Sequence, residues 1–187
     1  MAAKQARTSQ ASSLQALEVV IDSNLILNFA LGAHPYHAQT RQFLADCART
    51  NTRLIAPAWW EAEADTALRR MVSAKQLRAG VADAAQQLLD AAPVTVVYEP
   101  KARALARQIA DTAHQTKVYD ASYASLAQAR GCQLWTGDER FYNAIKNKLP
   151  FVRFIGTYAR SDSEETGVVD ERVVDEELAT ESGEKSS

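Results

Sequence analysis

Val19-Val20-Ile21-Asp22-Ser23-Asn24 is an apolar, β-branched run that ends in an acid. Such a run, from Glu18 to Ile21, reads as a short buried strand of a parallel sheet. A second stretch of the same kind, Leu134-Trp135-Thr136-Gly137-Asp138, closes a strand over Cys132–Thr136 and again ends in an Asp. Between and around these stretches, strands are expected at Leu54–Ala56, Val94–Tyr98 and Phe151–Ile155. Helical patterns are read at Leu25–Leu31, Pro35–Arg49, Ala58–Val72, Gln76–Ala91, Lys101–Ala113, Asp120–Ala129 and Glu139–Asn147. In the fourth of these the alanines favour helix, and Gly131 suits the residue just past the end of Asp120–Ala129. Alternation of short buried strands with helices predicts an α/β fold. Its central, mostly parallel twisted sheet would carry helices on both faces. In such sheets ligands bind beyond the carboxyl ends of the strands, so Asp22 and Asp138 are expected to face one crevice.

Two further stretches bring acids to helix starts: Glu61-Ala62-Glu63, and Tyr119-Asp120-Ala121-Ser122-Tyr123. Carboxylates gathered without Cys or His partners suit a hard divalent cation with oxygen ligands. Crowded carboxylates raise one another's proton affinity, and a cation reverses that penalty. The chemistry to which this points is metal-dependent cleavage of phosphodiesters, with a metal-activated water as nucleophile. Each acid also has an ordinary structural role open to it. Asp22 and Asp120 are placed to cap helices, Asp138 suits a turn after Gly137, and Glu61 and Glu63 suit a solvated helix face. Two residues apart on a helix, Glu61 and Glu63 are about 200° apart, so only one faces the crevice. Both flank the apolar stripe Trp60, Ala64, Ala67, Leu68 and Met71, and helical geometry does not choose between them.

These motifs carry a resemblance. Val20-Ile21-Asp22-Ser23-Asn24 resembles the opening of PIN-domain ribonucleases. Ala56-Pro57 followed by Glu63-Ala64-Asp65-Thr66-Ala67-Leu68 is similar to their second acidic motif. Tyr119-Asp120-Ala121-Ser122-Tyr123-Ala124-Ser125-Leu126-Ala127 resembles the third, and Leu134-Trp135-Thr136-Gly137-Asp138-Glu139-Arg140-Phe141 the fourth. Order and spacing agree over about residues 18–157, and the VapC-type toxins are the subgroup most resembled. The resemblance implies a three-layer α/β/α fold and Mg²⁺- or Mn²⁺-dependent cleavage of RNA. It assigns catalysis and metal binding to Asp22, Glu63, Asp120 and Asp138, with Ser23 and Thr136 as supporting hydroxyls. It also implies a homodimer and a small antitoxin protein that blocks the site. The sequence departs from the pattern at Thr66, where the family often has Asn, and at Arg140, where some members carry a further acid.

Charge is unevenly spread. Residues 161–187 hold ten acids against Arg172 and Lys185, a charge of −8, so with a net charge of −2 the remaining chain carries +6. A basic body suits a polyanion. Arg69, Arg70, Arg140 and Lys146 are candidate RNA contacts, with a plain solvated face as the other reading. The expected organisation is a flexible tail at 1–16, a PIN-like nuclease domain at 17–160, and an acidic, disordered tail at 161–187. No apolar run is long enough to span a bilayer. Cys47 and Cys132 read as reduced thiols of a cytoplasmic protein. Trp60 fits the core stripe, whereas Trp59 suits a dimer or antitoxin surface. His34 and His37 lack a third ligand to make a metal site.

Other classes fit less well. A haloacid-dehalogenase type site wants a second Asp where Asn24 stands. A receiver domain wants an adjacent acidic pair and a late Lys. The non-enzymatic rival is a PIN-like RNA-binding or scaffold module that does not cleave.

Overall fold

The computed structural model describes residues 17–112 and 118–159, and the two expected tails lie outside them. Strand β1 (Glu18–Ile21) is the middle of a sheet that also contains β2 (Arg53–Ala56), β3 (Val94–Val96), β4 (Gln133–Thr136) and β5 (Val152–Phe154). The order is β3-β2-β1-β4-β5 and every pair is parallel. Val20 stands beside Ile55 on one flank and Leu134 on the other, and all three are fully buried. That burial is why β1 reads as an unbroken apolar run.

The chain steps from β1 to β2 to β3, then jumps back over β1 to β4 and on to β5. Right-handed crossovers place the helices of the first direction on one face and those of the second on the other. Packing agrees. Helix α1 (Ser23–Ala30) packs against α2 (His37–Arg49), α3 (Trp60–Ser73) and α4 (Ala79–Asp90). Helix α5 (Ala102–Thr112) packs on α6 (Tyr119–Arg130), which crosses β1 and β4. Helix α7 (Glu139–Ile145) packs on β5, and a 3₁₀ turn at Ile155–Thr157 follows. The result is the three-layer α/β/α arrangement, with its reversal of direction between β1 and β4. A reversal of this kind opens a crevice beyond the strand ends.

Helix α6 is buried without interruption from Ala121 to Ala127. Its small residues let it lie between the sheet and α5, and its two buried serine hydroxyls bond locally. Ser122 Oγ donates to Val118 O at 2.6 Å and Ser125 Oγ to Ser122 O at 2.8 Å. Gly131 ends the helix at φ 66°, a left-handed position that glycine occupies without strain.

Some element ends differ from expectation for local reasons. Helix α1 begins at Ser23 rather than Leu25 because Asp22 caps it. Helix α4 begins at Ala79 rather than Gln76, since the N–H groups of Gln76 and Leu77 turn back to Met71 O. Strand β3 stops at Val96 rather than Tyr98. Its neighbour β2 runs into Pro57, which has no N–H to extend the ladder. Helix α7 stops at Ile145 rather than Asn147, where the N–H groups of Lys148 and Leu149 converge on Ile145 O.

Candidate active site

Asp22 lies just past β1 and is only 3% exposed. Its Oδ2 accepts from Thr136 Oγ1 at 2.7 Å and from Asn24 Nδ2 at 2.7 Å. Among the described residues its Oδ1 has only long contacts, 3.4 Å from both Ser23 Oγ and Asn24 N. Asn24 also spans the two strand ends, because its Oδ1 accepts from Gly137 N at 2.7 Å. Gly137 leaves no room for a side chain: a Cβ there would stand 2.5 Å from Asn28 Nδ2 and 2.9 Å from Asn24 Oδ1. Thr136 joins the two aspartates, since its Oγ1 also accepts from Asp138 N at 2.9 Å. Asp138 Oδ1 in turn accepts from Phe141 N at 2.8 Å and caps α7. The capping role read from sequence for Asp22 is real, and Asp138, read as a turn residue, caps a helix as well; both roles coexist with a place at the crevice.

The helical acids arrive differently. Glu63 sits in the first turn of α3, half-buried, and its Oε2 accepts from Tyr123 Oη at 2.6 Å and Ser23 Oγ at 3.1 Å. Ser23 therefore stands between the carboxylates of Asp22 and Glu63. Glu61 points to solvent. Asp120 occupies the first turn of α6 without capping it; the cap position is Val118.

Burial pushes Asp22 up from an ordinary carboxylate value to about 7, and the negative charges of Glu63 and Asp120 add to the rise. The Thr136 hydrogen bond pulls the other way. Burial, with the charges of Asp22 and Glu63, pushes the Tyr123 phenol up as well, so it remains a donor. Among the described residues, no group of three or more His, Cys, Asp or Glu side chains is already gathered at metal-holding spacing. The expected four-acid cluster is instead a bridged pair, Asp22 and Glu63, with Asp120 close enough to act on Asp22 through its charge. The donor set is nonetheless all oxygen and anionic, and the penalty on Asp22 is one that a hard divalent cation offsets. The residues fit such an ion by their chemistry.

The family model for the PIN domain matches residues 19–147, a span that holds all four acids. The chain belongs to the PIN-domain family. Members of this family are generally nucleases. Two solved structures share the fold. PAE2754 from Pyrobaculum aerophilum is 20% identical, with a TM-score of 0.52 over 76% of this chain and 94% of its own. VapBC2 from Rickettsia felis, solved bound to a DNA fragment from its promoter, is 14% identical. Its TM-score is 0.51 over 74% of this chain and 97% of the other. No curated protein sequence matches.

Around the PIN-domain acids, the expected basic residues are spread unevenly. Arg69 and Arg70 are exposed on α3, about 9–10 Å along the helix from Glu63. Arg140 is exposed two residues after Asp138. Lys146 lies at the far end of α7, about 12 Å along the axis from Asp138. There it donates to Asn143 Oδ1 at 2.8 Å and lies over the Tyr142 ring. Trp60 is buried in the core, whereas Trp59 is 40% exposed. Trp59 lines an apolar groove of ≈ 490 Å³ with Val97, Tyr98, Val118 and Tyr119, and Arg103 and Arg107 from α5 also line it. His34 and His37 serve local packing: Tyr36 N donates to His34 Nδ1 at 3.2 Å, and the His37 ring stacks on Phe29. Asn24 and Tyr123 were not singled out from sequence. Asn24 stands in the first motif and Tyr123 in the third, but neither motif gives its side chain a task.

Proposed function

We propose that this PIN domain is a metal-dependent endoribonuclease, and that it serves as the toxin of a VapC-type toxin–antitoxin pair in the cytoplasm. The observation that carries this reading is the crowding of acids at the strand reversal. Asp22 and Glu63 share Ser23 Oγ at 3.4 and 3.1 Å, and Asp22 is pushed up to about 7 by burial and by the charges around it.

Asp22, Glu63, Asp120 and Asp138 would hold Mg²⁺ or Mn²⁺. When bound, such an ion polarises a phosphoryl oxygen and lowers the pKa of a water molecule. The remaining work belongs to the chain. Thr136 and Asn24 fix one oxygen of Asp22, and Ser23 and Tyr123 fix one oxygen of Glu63. This pre-sets the other oxygen of each carboxylate for a ligand. Arg140, Arg69 and Arg70 are candidates to hold flanking RNA phosphates. Hydrolysis then adds water at phosphorus and expels a ribose oxygen in line.

The fold shared with VapBC2 supports the partner reading. The groove around Trp59, Tyr98 and Tyr119 offers the apolar, aromatic surface that a second copy of the chain or an antitoxin segment would cover. No helix among the described residues is long and apolar enough to cross a membrane.

A second reading, a PIN-like RNA-binding or scaffold module without catalysis, draws on the absence of a gathered metal cluster among the described residues. One experiment separates the two: cleavage of a mixed RNA pool by wild type and Asp120→Asn, with Mn²⁺ and with EDTA. Cleavage by wild type with Mn²⁺ alone, lost in Asp120→Asn, is expected. RNA binding without turnover, from a folded protein in Mn²⁺, favours the scaffold.

A further inference from the structure

We propose that Tyr123 is a positioning residue for Glu63, setting which carboxylate oxygen is left for the cation. The proposal rests on the nuclease reading in that it takes Glu63 as a metal ligand.

Tyr123 follows Asp120 by three residues on α6, so the helix presents the acid and the phenol on neighbouring positions of one face. The Tyr123 ring is completely buried, yet its hydroxyl crosses to α3 and donates to Glu63 Oε2 at 2.6 Å. That is a short, charge-assisted bond. Ser23 Oγ reaches the same oxygen at 3.1 Å, but Ser23 also lies 3.4 Å from Asp22 Oδ1 and has a single proton for two carboxylates. Tyr123 meets a single carboxylate: its short bond goes to Glu63, although the Ser23 hydroxyl also lies near enough to act on the phenol. Among the described residues Glu63 Oε1 has no hydrogen-bond donor. A glutamate near a helix surface has several rotatable bonds, and ordering them weakens any ligand it binds. A buried phenol on a packed helix removes that cost in advance, as outer partners of metal ligands commonly do.

If Tyr123 only filled the core, Phe would serve as well, which makes Tyr123→Phe the decisive variant. Mn²⁺ binding to the RNA-free protein, measured by isothermal titration calorimetry, is expected to weaken by about 10–100-fold. Circular dichroism without metal should show the wild-type fold. In cleavage assays the Mn²⁺ concentration for half-maximal rate should rise in step, while kcat at saturating Mn²⁺ stays near wild type. The loss should vanish in a Glu63→Gln background, where Tyr123→Phe changes Mn²⁺ affinity no further. Ser23→Ala probes the same oxygen and should weaken Mn²⁺ less than Tyr123→Phe does. Unchanged Mn²⁺ affinity in Tyr123→Phe overturns the assignment, as does an equal loss in the Glu63→Gln background. A wild type that binds no Mn²⁺ overturns the nuclease reading itself, and the role of Tyr123 with it.

Discussion

The two halves of the crevice are built by different means. On the strand side, the backbone at the ends of β1 and β4 places Asp22 and Asp138, and Thr136, 114 residues on, bonds to Asp22 across the two ends. Each aspartate caps the helix that follows it, and Thr136 and Asn24 tie the ends of β1 and β4 together over 2.7–2.9 Å bonds. On the helix side, Glu63 is held by side chains from elsewhere in the sequence. Ser23 is 40 residues away and Tyr123 60. A residue at a strand end inherits its position from the backbone. A residue on a helix depends on how that helix is rotated about its axis, and only packing sets that. The strand side should therefore resist small substitutions that leave its backbone alone, while the helix side should respond to the loss of single hydroxyls.

The largest effect is expected where charge is removed from the rigid half. Asp22→Asn should lower metal-dependent RNA cleavage by at least about 10³-fold with little change in fold, as read by a cleavage time course and a melting curve. Full activity in that variant would break the site assignment.

Asp22 also sets a pH dependence. It ionises near 3.8 in the unfolded chain and near 7 in the folded one. Between those values the folded state keeps a proton that the unfolded state has released, so raising pH removes stability. The metal-free protein should lose stability between about pH 4 and pH 7, with an upper bound on the order of 4 kcal/mol from this group. Asp22→Asn should flatten that loss, and Mn²⁺ should restore stability above pH 7. Denaturant titrations at pH 5 and pH 8 provide the check.

The two glutamates on α3 offer a sharper contrast. Glu63→Gln should reduce cleavage by on the order of 10²-fold, whereas Glu61→Gln, on the solvent side, should cleave like wild type. Equal losses would mean that α3 rotates in the active protein.

Gly137→Ala tests the strand clamp through its space rather than its charge. The added methyl meets Asn28 and Asn24, so stability should fall by about 1–3 kcal/mol in a urea titration. The smallest effect is expected for Lys146→Ala. Lys146 engages Asn143 and Tyr142 at the far end of α7, so RNA affinity and its salt dependence should stay close to wild type.

Much of this is legible in the sequence. The parallel sheet followed from unbroken apolar runs such as Val19–Ile21, which have no polar face to show because both faces are covered. The positions of Asp22 and Asp138 just past two strand ends then pointed to one crevice. The capping of α1 by Asp22 was also open to reading, because a cap is a contact between residues a few positions apart. By contrast, the buried run Ala121–Ala127 has no polar side, and nothing in its sequence says that one of its residues, Tyr123, sends a hydroxyl toward an acid on another helix. Helical geometry left Glu61 and Glu63 equal beside the α3 stripe for the same reason, and only the motif resemblance favoured Glu63. The burial of Trp60, Ala64 and Leu68 against the body of the domain turns Glu63 inward.

The sequence by itself determined the strand-end half of the crevice, because backbone direction and local capping place those acids. Only the tertiary structure decided the helical half. The rotation of α3 and α6 is set by side chains packing across distances that no local pattern records, and that rotation selects Glu63 over Glu61 and brings Tyr123 to it.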